Sequence, residues 1–295
     1  MRLMVVTGGD ERYAPLVADL AASLVRCRTK FAFTMGCLDY GLLPATRDRL
    51  ARQFDAIVKP DWPFRANAQF DKQIQARAFA TRSFLPDLFS GYDAYAWIDA
   101  DAFVQDLRAI MLLAASCENG MAGVVPTVDR SYRHQRQTLE WVAERYRMAF
   151  GTETARTLMQ FSYINSGVVA AAAASPMWKM WQSRFQIALD RWDGPRLCDQ
   201  AVLNHIVHLE GLPHHKLSSL CNWISHLAMP LADVKRGALV EPSYPYDPIY
   251  IVANSFNEKR ISRKLPCLDG GHIQSTLTFE GLRHALTAER AQRPQ

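Results

Sequence analysis

The chain has no apolar run of the length that a membrane-spanning helix requires, which is about 18 or more residues. Even the stretch from Val168 to Ala174 is short and rich in alanine. The first residues enter an apolar segment at once, without the basic leader and long apolar core of a secretory signal. We therefore expect a cytoplasmic protein, and we leave open a peripheral contact with the anionic inner face of a membrane.

Paired cysteine motifs are also absent. The six cysteines are scattered without a Cys-x-x-Cys spacing, which favours buried thiols in a reducing compartment over a disulfide framework. His205, His208, His214 and His215 lie close together in the sequence, but no cysteine or acidic partner gives them the spacing of a zinc site. No nucleic-acid motif with interleaved aromatic residues is present, so we expect no nucleic-acid partner.

The composition is that of an ordinary globular protein. The chain has 295 residues, 49% of them apolar and 21% charged, which is enough for a large core. The net charge is only +5, but basic residues form two clusters: Lys259, Arg260, Arg263 and Lys264, and then Arg283, Arg290 and Arg293. Such clusters attract polyanions, including a diphosphate, and a solvated basic surface is the alternative for the second cluster.

Short β-type runs alternate with amphipathic helical stretches. The expected strands are Leu3–Thr7, Phe31–Met35, Ala56–Lys59, Ala94–Ile98, Ala122–Val125, Ile164–Ala170 and, late in the chain, Ile249–Ala253. The expected helices are Tyr13–Arg26, Pro44–Gln53, Phe70–Phe89, Gln135–Phe150, Pro176–Leu189 and Asp199–Leu209. This order predicts an α/β fold with a mainly parallel central sheet flanked by helices, followed by a less regular C-terminal region.

The most informative motif is an apolar strand that runs directly into Asp99-Ala100-Asp101. The alternation of side chains along a strand sends both carboxylates to the same side, and such oxygens suit Mg²⁺ or Mn²⁺ bridging two phosphates. The Thr7–Asp10 segment ends another predicted strand, and ligands of parallel sheets bind beyond these strand ends. The two motifs together predict a metal and phosphate site, and a solvated turn is the alternative for Asp-x-Asp.

Several blocks, in the same order, resemble the sugar-nucleotide-dependent glycosyltransferases of the GT-A fold. Within these enzymes the chain is most similar to the retaining glycogenin and lipopolysaccharide galactosyl- and glucosyltransferase group. The blocks are Val6–Tyr13, Arg82–Asp93, Asp99–Asp101, Tyr163–Val169, Cys198–Asn204 and Leu217–Asn222. The resemblance implies one GT-A domain over residues 1–295. Its expected parts are a nucleotide and metal half (1–125), a sugar and acceptor half (126–280) and a basic C-terminal tail (281–295).

The resemblance also implies which residues contact the donor. In the family the first loop binds the uracil edge with an acid and stacks a tyrosine on the base, which corresponds to Asp10 and Tyr13. A Gly turn with a helix cap at Asp10 is the alternative. Arg82 would bind the diphosphate or the sugar with its planar guanidinium. The full set of implied donor contacts is Thr7, Gly8, Asp10, Tyr13, Arg82, Ala100, Asn165 and Lys259.

The family's metal ligands correspond to Asp99, Asp101 and a late histidine, for which His272 after two glycines is the best candidate. The family's next Gly and Lys are missing here, and the basic cluster around Lys259 would replace them. Gln200, or less favourably Asp199, would lie against the anomeric carbon of the sugar. As alternatives, Asp199 caps a helix and Asn165 forms a strand bulge.

The implied reaction is the Mn²⁺- or Mg²⁺-dependent transfer of a hexose from a UDP-sugar to a hydroxyl of a saccharide or glycoconjugate. The resemblance implies retention of anomeric configuration and a role in glycan or lipopolysaccharide-type biosynthesis. The alternatives are an inverting transferase with Asp199 as general base, a sugar-nucleotide nucleotidyltransferase, and a non-catalytic sugar-nucleotide-binding protein. Six aromatic residues fit either sugar stacking or core packing: Trp178, Trp181, Trp192, Trp223, Tyr244 and Tyr246.

Overall fold

The computed structural model describes residues 1–65, 69–70, 72–192, 194 and 197–292. The strands are β1 Leu3–Gly9, β2 Thr34–Asp39, β3 Ala56–Val58, β4 Ala94–Ile98, β5 Ala102–Val104, β6 Ala122–Pro126, β7 Ile164–Ala172, β8 His214–Lys216, β9 Trp223–Ile224, β10 Leu231–Asp233, β11 Ala238–Val240, β12 Ile251–Ala253, β13 Arg263–Pro266 and β14 His272–Ser275. The helices are α1 Ala14–Arg28, α2 Pro44–Leu50, α3 Ile74–Thr81, α4 Leu85–Leu88, α5 Arg108–Ala115, α6 Arg136–Phe150, α7 Thr152–Leu158, α8 Met177–Arg191, α9 Gln200–His208 and α10 Phe279–Gln292. Short 3₁₀ turns occupy Arg82–Phe84, Glu118–Gly120 and Ser219–Cys221.

The main sheet has seven strands in the order β3-β2-β1-β4-β7-β6-β8. Strand β7 runs antiparallel to both of its neighbours, and the other neighbouring pairs are parallel. Smaller sheets are formed by β5-β12-β9, β10-β11 and β13-β14. The predicted α/β class with a mainly parallel sheet is therefore confirmed.

The central strands are apolar almost throughout because both faces of the sheet are covered. The side chains of β4 alternate between two hydrophobic clusters. Tyr95 and Trp97 pack on one face, whereas Ala94, Ala96 and Ile98 pack on the other. All five are at most 2% exposed, so β4 is held rigidly and delivers Asp99 to a fixed place.

Two predicted elements were wrong in their bounds. The second strand forms at Thr34–Asp39 instead of Phe31–Met35, because Cys37 and Leu38 fill the core while Phe31 stays half-buried. The single helix expected over Phe70–Phe89 is divided into α3, a 3₁₀ turn and α4. Pro86 lacks the amide that would bond back to Arg82, which explains the break. Asp71 of that expected helix lies outside the described residues.

The C-terminal segment also differs from the expectation. Residues 281–292, expected as a tail, belong to α10, which buries Phe279, Leu282 and Leu286. The Asp19 carboxylate accepts hydrogen bonds from the first amides of this helix, Phe279 N at 2.5 Å and Glu280 N at 3.0 Å. Arg293 of the basic cluster lies outside the described residues. None of the described helices is both long and apolar enough to cross a membrane.

Asn204 connects α9 to β7 and so fixes two elements of the candidate site. Its side chain is fully buried, its Oδ1 accepts a hydrogen bond from Ile164 N, and its Nδ2 donates to Ile164 O and to Gln200 O, each at 2.8 Å. No aliphatic side chain could satisfy these three main-chain groups.

We predict that Asn204→Ala lowers the free energy of unfolding by about 2–4 kcal/mol, since it leaves buried main-chain groups without partners. The control is Lys179→Ala, a change at an exposed position of α8 that should stay within about 0.5 kcal/mol of the wild type. Urea unfolding followed by circular dichroism measures both. An Asn204→Ala protein as stable as the control would contradict this account of how α9 is held.

Candidate active site

Five of the predicted site residues meet at the edge of the sheet where β4 ends: Arg82, Asp99, Asn165, Asp199 and Gln200. Because β7 is antiparallel to β4, its first residues lie at this same edge, and Asp99 N donates a 2.8 Å hydrogen bond to Gly167 O. A Cβ atom at position 167 would lie 2.9 Å from Asp99 Oδ2, so the glycine allows the carboxylate to approach β7.

Arg82 joins two carboxylates from distant parts of the chain. Its Nη2 donates to Asp99 Oδ1 at 2.7 Å, and its Nη1 donates to Asp199 Oδ2 at 3.1 Å. The guanidinium lies 4.6 Å from the Trp97 ring centroid, and Trp97 Nε1 donates to Asp99 Oδ1 at 2.7 Å. Arg82 is 6% exposed, so these charge-assisted bonds are largely shielded from water and fix the geometry of both acids.

Asp199 is a buried acid at the start of α9. It is 1% exposed, and Ser166 Oγ donates to its Oδ1 at 3.1 Å. Burial raises the pKa of this carboxyl from 3.8 to about 6; Arg82 opposes the rise, and Asp99 adds to it. Its side chain makes no cap hydrogen bond to the helix. The helix-cap alternative therefore does not account for this residue.

Asp101 faces a second cation. Lys259 Nζ lies 2.7 Å from Asp101 Oδ2 and donates to Asn254 O at 2.8 Å. Burial raises the pKa of Asp101, Lys259 counters this, and Asp99 reinforces it. Asn254 N donates to Asp101 O at 2.9 Å, and its buried Oδ1 has no hydrogen-bond partner among the described residues. The Asp-x-Asp turn is thus not simply solvated.

A chain of amides continues from these acids. Asn165 Nδ2 donates to Gln200 Oε1 at 3.2 Å, and Asn165 Oδ1 accepts from Gly167 N at 2.8 Å and from Asn222 Nδ2 at 3.1 Å. Asn165 lies in β7, opposite Gln200 at the first position of α9. The chain of bonds orients the two side chains that were predicted to face the sugar.

The end of β1 contributes the first loop. Burial raises the pKa of Tyr13, and the negative charges of Asp101, Asp99 and Asp10 raise it further. Asp10 Oδ1 accepts a hydrogen bond from Tyr13 N at 3.0 Å. The hydrogen bond within the loop agrees with the alternative of a turn with a helix cap at Asp10. The loop also holds Tyr13 near enough to the acids for their charges to affect its pKa.

Three of the predicted donor contacts are small side chains at the ends of two strands. Thr7 and Gly8 belong to β1, and Ala100 follows β4. Thr7 is 1% exposed, and its Oγ1 has no hydrogen-bond partner among the described residues. A Cβ atom on Gly8 would lie 2.8 Å from Leu38 O, so only glycine fits there. Ala100 is buried and packs into the core below the sheet edge. Any contact from Ala100 to a ligand would therefore come from its main chain.

The structure does not bring His272 to the two carboxylates. It lies exposed at the start of β14, where it pairs with Pro266 of β13. Within the described part of the chain, no group of three His, Cys, Asp or Glu residues is arranged to hold a metal ion. The two preceding glycines have positive φ and serve the β13–β14 turn. The space near Asp101 is occupied instead by Lys259 and Asn254.

Two cavities border the acids. One, of about 600 Å³, includes Asp99, Asp101 and Lys259 in its wall, and the other, of about 250 Å³, includes Arg82 and Asp199. Four residues line both cavities: Asp99, Trp141, Asn165 and Gln200. The acids, the amides and one tryptophan thus border two neighbouring cavities, and the larger has the size of a small-ligand site.

Sequence reasoning missed four of these participants. Trp97, Ser166 and Asn254 were not assigned roles, although all three are adjacent to predicted strand ends. Trp141 was read as part of an ordinary amphipathic helix. Only the folded arrangement shows that these side chains meet the acids, because a partner can be as far away in the sequence as Asp101 is from Asn254, which is 153 residues.

No protein-family model and no curated protein sequence matches the chain. Among solved structures, the galactosyltransferase LgtC in complex with donor and acceptor sugar analogues gives a TM-score of 0.54 at 16% identity, covering 85% of this chain and 86% of LgtC. An active-site mutant of LgtC gives a TM-score of 0.53 at 16% identity, covering 85% of this chain and 86% of the mutant. The chain has the GT-A fold. The apo structure of the bifunctional glycosyltransferase WbbM gives a TM-score of 0.51 at 17% identity, covering 75% of this chain and 39% of the WbbM chain.

The raised pKa of Asp199 predicts a pH-dependent stability. Because the native state binds this proton more tightly than the unfolded chain, the contribution of Asp199 to stability falls as pH rises from about 4 to about 6 and is constant above that. Asp199→Asn lacks this dependence. The difference in free energy of unfolding, wild type minus variant, should therefore decrease across this window in urea unfolding experiments. A difference that is constant or increases with pH would contradict the shifted pKa.

Proposed function

We propose that the protein is a metal-dependent glycosyltransferase that moves a hexose from a UDP-sugar to a hydroxyl of a saccharide or glycoconjugate, with retention of configuration. The observation that carries the proposal is the convergence of Asp99, Asp101, Arg82 and Lys259 with the Asn165–Gln200 amide pair around two cavities that share part of their walls. The GT-A fold supports it, as do the donor and acceptor analogues bound to LgtC.

A divalent cation fits the oxygen-rich end of this cavity. Asp99 and Asp101 supply hard carboxylate oxygens that both border the cavity, and Asn254 has a buried Oδ1 without a partner next to the main chain of Asp101. Asp99 and Asp101 would hold the ion, with Asn254 as a further oxygen donor in place of His272. When bound, such an ion neutralises a diphosphate and stabilises the charge of the leaving group.

The cationic side chains would bind the phosphate oxygens. Lys259 Nζ is 2.7 Å from Asp101 Oδ2, so a diphosphate near Asp101 lies within reach of its ammonium group. Arg82 is committed to Asp99 and Asp199, and its role is to orient these acids and to set a positive potential beneath the sugar. Tyr13 and Asp10 would bind the uracil base, and Thr7 and Gly8 would allow it to approach β1.

The geometry favours retention. Gln200 presents an amide, held by Asn165, to the cavity where the anomeric carbon would lie. Asp199, the general base that inversion would require, is buried and bonded to Arg82 and Ser166, and therefore acts as a positioning residue. The acceptor hydroxyl would enter on the side of the leaving group, and its proton would pass to the departing phosphate.

Two other interpretations are less well supported. A nucleotidyltransferase should open with a Gly-rich loop bearing Lys or Arg, but the acid Glu11 in this loop binds Leu43 N and Thr46 Oγ1. A non-catalytic binding protein would share the donor site without turnover. We keep the cytoplasmic location, the contact with an anionic membrane, and the role in glycan or lipopolysaccharide-type biosynthesis as predictions from the sequence.

We predict metal-dependent release of UDP when the purified protein is incubated with Mn²⁺ and individual UDP-sugars, because transferases of this kind pass sugar slowly to water. Asp101→Asn removes one charged metal ligand and should reduce release by at least about tenfold. Asp48→Asn removes an exposed carboxylate on α2 and should retain full release. Coupled detection of UDP measures the rates.

Nucleotide binding without any release would favour the non-catalytic interpretation. Release that is equal in Asp101→Asn and the wild type would contradict the assigned site. Release of the nucleotide from GDP-, CMP- or dTDP-sugars but not from UDP-sugars would overturn the donor assignment alone.

The stereochemical outcome can be observed directly. With an α-linked UDP-hexose, a retaining site should give the α-anomer as the first product, either of transfer or of hydrolysis, because attack occurs on the side of the leaving group. Proton NMR within minutes of mixing distinguishes the anomers before mutarotation equilibrates them. The initial formation of the β-anomer would show inversion and would return Asp199 to the role of general base.

A further inference from the structure

Trp141 is an exposed tryptophan in the wall of the candidate active site. It is 45% exposed on α6, whereas the four tryptophans considered from the sequence for sugar stacking are at most 5% exposed and pack in the core: Trp178, Trp181, Trp192 and Trp223. Tyr244 is 80% exposed but borders neither of the two cavities. Core packing therefore explains the buried set, and it leaves Trp141 without a structural explanation.

Trp141 shares the walls of the site with the predicted acids and amides. It lines both cavities, together with Asp99, Asn165 and Gln200. The Arg145 guanidinium lies 5.3 Å from the Trp141 ring centroid and 6.0 Å from that of Trp192, so the ring is held against the protein by a cation–π contact. A ring oriented in this way offers a preformed flat surface and loses little conformational entropy on binding.

The groups beside the ring suit a neutral polyol. Gln135, Gln137 and Thr138 come from the start of α6 and line the larger cavity with Trp141. Their amides and hydroxyl can donate to and accept from sugar hydroxyls. The charged residues in the described wall of this cavity are Asp99, Asp101 and Lys259, which belong to the metal and phosphate end. In the larger cavity the groups beside Trp141 are therefore neutral and polar, whereas Arg145, which contacts the ring, borders the smaller cavity.

We propose that Trp141 is the platform on which the terminal pyranose of a neutral saccharide acceptor stacks, with Gln135, Gln137 and Thr138 binding its hydroxyls. The inference rests on the proposed transferase function. Tyr13 and Asp10, where the base is expected, border neither cavity, so the ring is not needed for the nucleotide. A pyranose presents C–H groups on one face and hydroxyls at its edge, which matches this surface.

The test uses the full-length protein with Mn²⁺, the UDP-sugar that supports release, and a panel of lactose, cellobiose, maltose and N-acetyllactosamine. Glycerol and N-acetylserine amide serve as hydroxyl compounds that are not saccharides. We expect at least one saccharide to accelerate release of UDP. We expect Trp141→Ala to raise the KM for that saccharide by about tenfold with a smaller change in kcat at saturation, and Trp141→Phe to restore most of the affinity.

The matched control is Leu139→Ala, an exposed apolar residue on the same helix that borders neither cavity. It should leave the saccharide KM unchanged, which excludes a general effect of altering the α6 surface. Saturation-transfer difference NMR of the saccharide with the wild type, Trp141→Ala and Trp141→Phe measures binding without turnover. Loss of signal from the sugar C–H protons in Trp141→Ala, with recovery in Trp141→Phe, supports stacking.

Failure of the inference is distinguishable from failure of the proposed function. If the wild type releases no UDP from any donor and binds none, the proposed function fails. If release occurs without an acceptor but no saccharide in the panel accelerates it, or if Trp141→Ala keeps the wild-type KM, the acceptor platform is overturned. Acceleration by N-acetylserine amide alone would point to a protein acceptor and would overturn the platform as well.

Discussion

The candidate site depends on ion pairs between three carboxylates and two cationic side chains at one edge of the sheet. Asp99, Asp101 and Asp199 converge there from β4, the turn after it and the start of α9, and two cations, Arg82 and Lys259, contact them. Burial raises the pKa of Asp101 and Asp199, because their charged forms lose contact with water. Acids with pKa values shifted in this way are concentrated at functional sites, and the cluster is therefore the physical basis of the proposed function.

The fold supplies the positions that this cluster requires. Pro86 ends α3 early, and the resulting 3₁₀ turn buries Arg82 against Trp97, between the acids that it joins. Strand β7 is antiparallel to β4, so β7 begins at the edge of the sheet where β4 ends. Asn165 and Ser166, at the start of β7, therefore lie beside the acids. Asn204 then fixes α9 to β7, so that Gln200 and Asp199 approach from the opposite side of the cavity. Each acid is thus held by an element from another part of the chain.

Much of the fold could be predicted from the sequence, because alternation in β4 and helical periodicity in α1, α6 and α8 are local signals. The bounds of β2 could not, since Cys37 and Leu38 became core residues only through packing on β1. The acids and amides of the site were predicted from motifs with specific spacing. His272 was predicted from the family's late histidine ligand, and the two preceding glycines favoured it, whereas in the structure those glycines serve a turn between β13 and β14. Asn254 and Trp141 reach the site through tertiary contacts, which leave no periodic signal in the sequence.

The central claim is that the carboxylate cluster binds a divalent ion together with a nucleoside diphosphate. It is tested most directly by measuring Mn²⁺ binding by electron paramagnetic resonance with and without UDP, in the wild type and in Asp99→Asn. Because binding linkage is reciprocal, the account predicts that UDP tightens Mn²⁺ binding by about tenfold or more in the wild type and that this coupling is lost in the variant. Mn²⁺ binding that does not depend on UDP, or that is the same in both proteins, would contradict it.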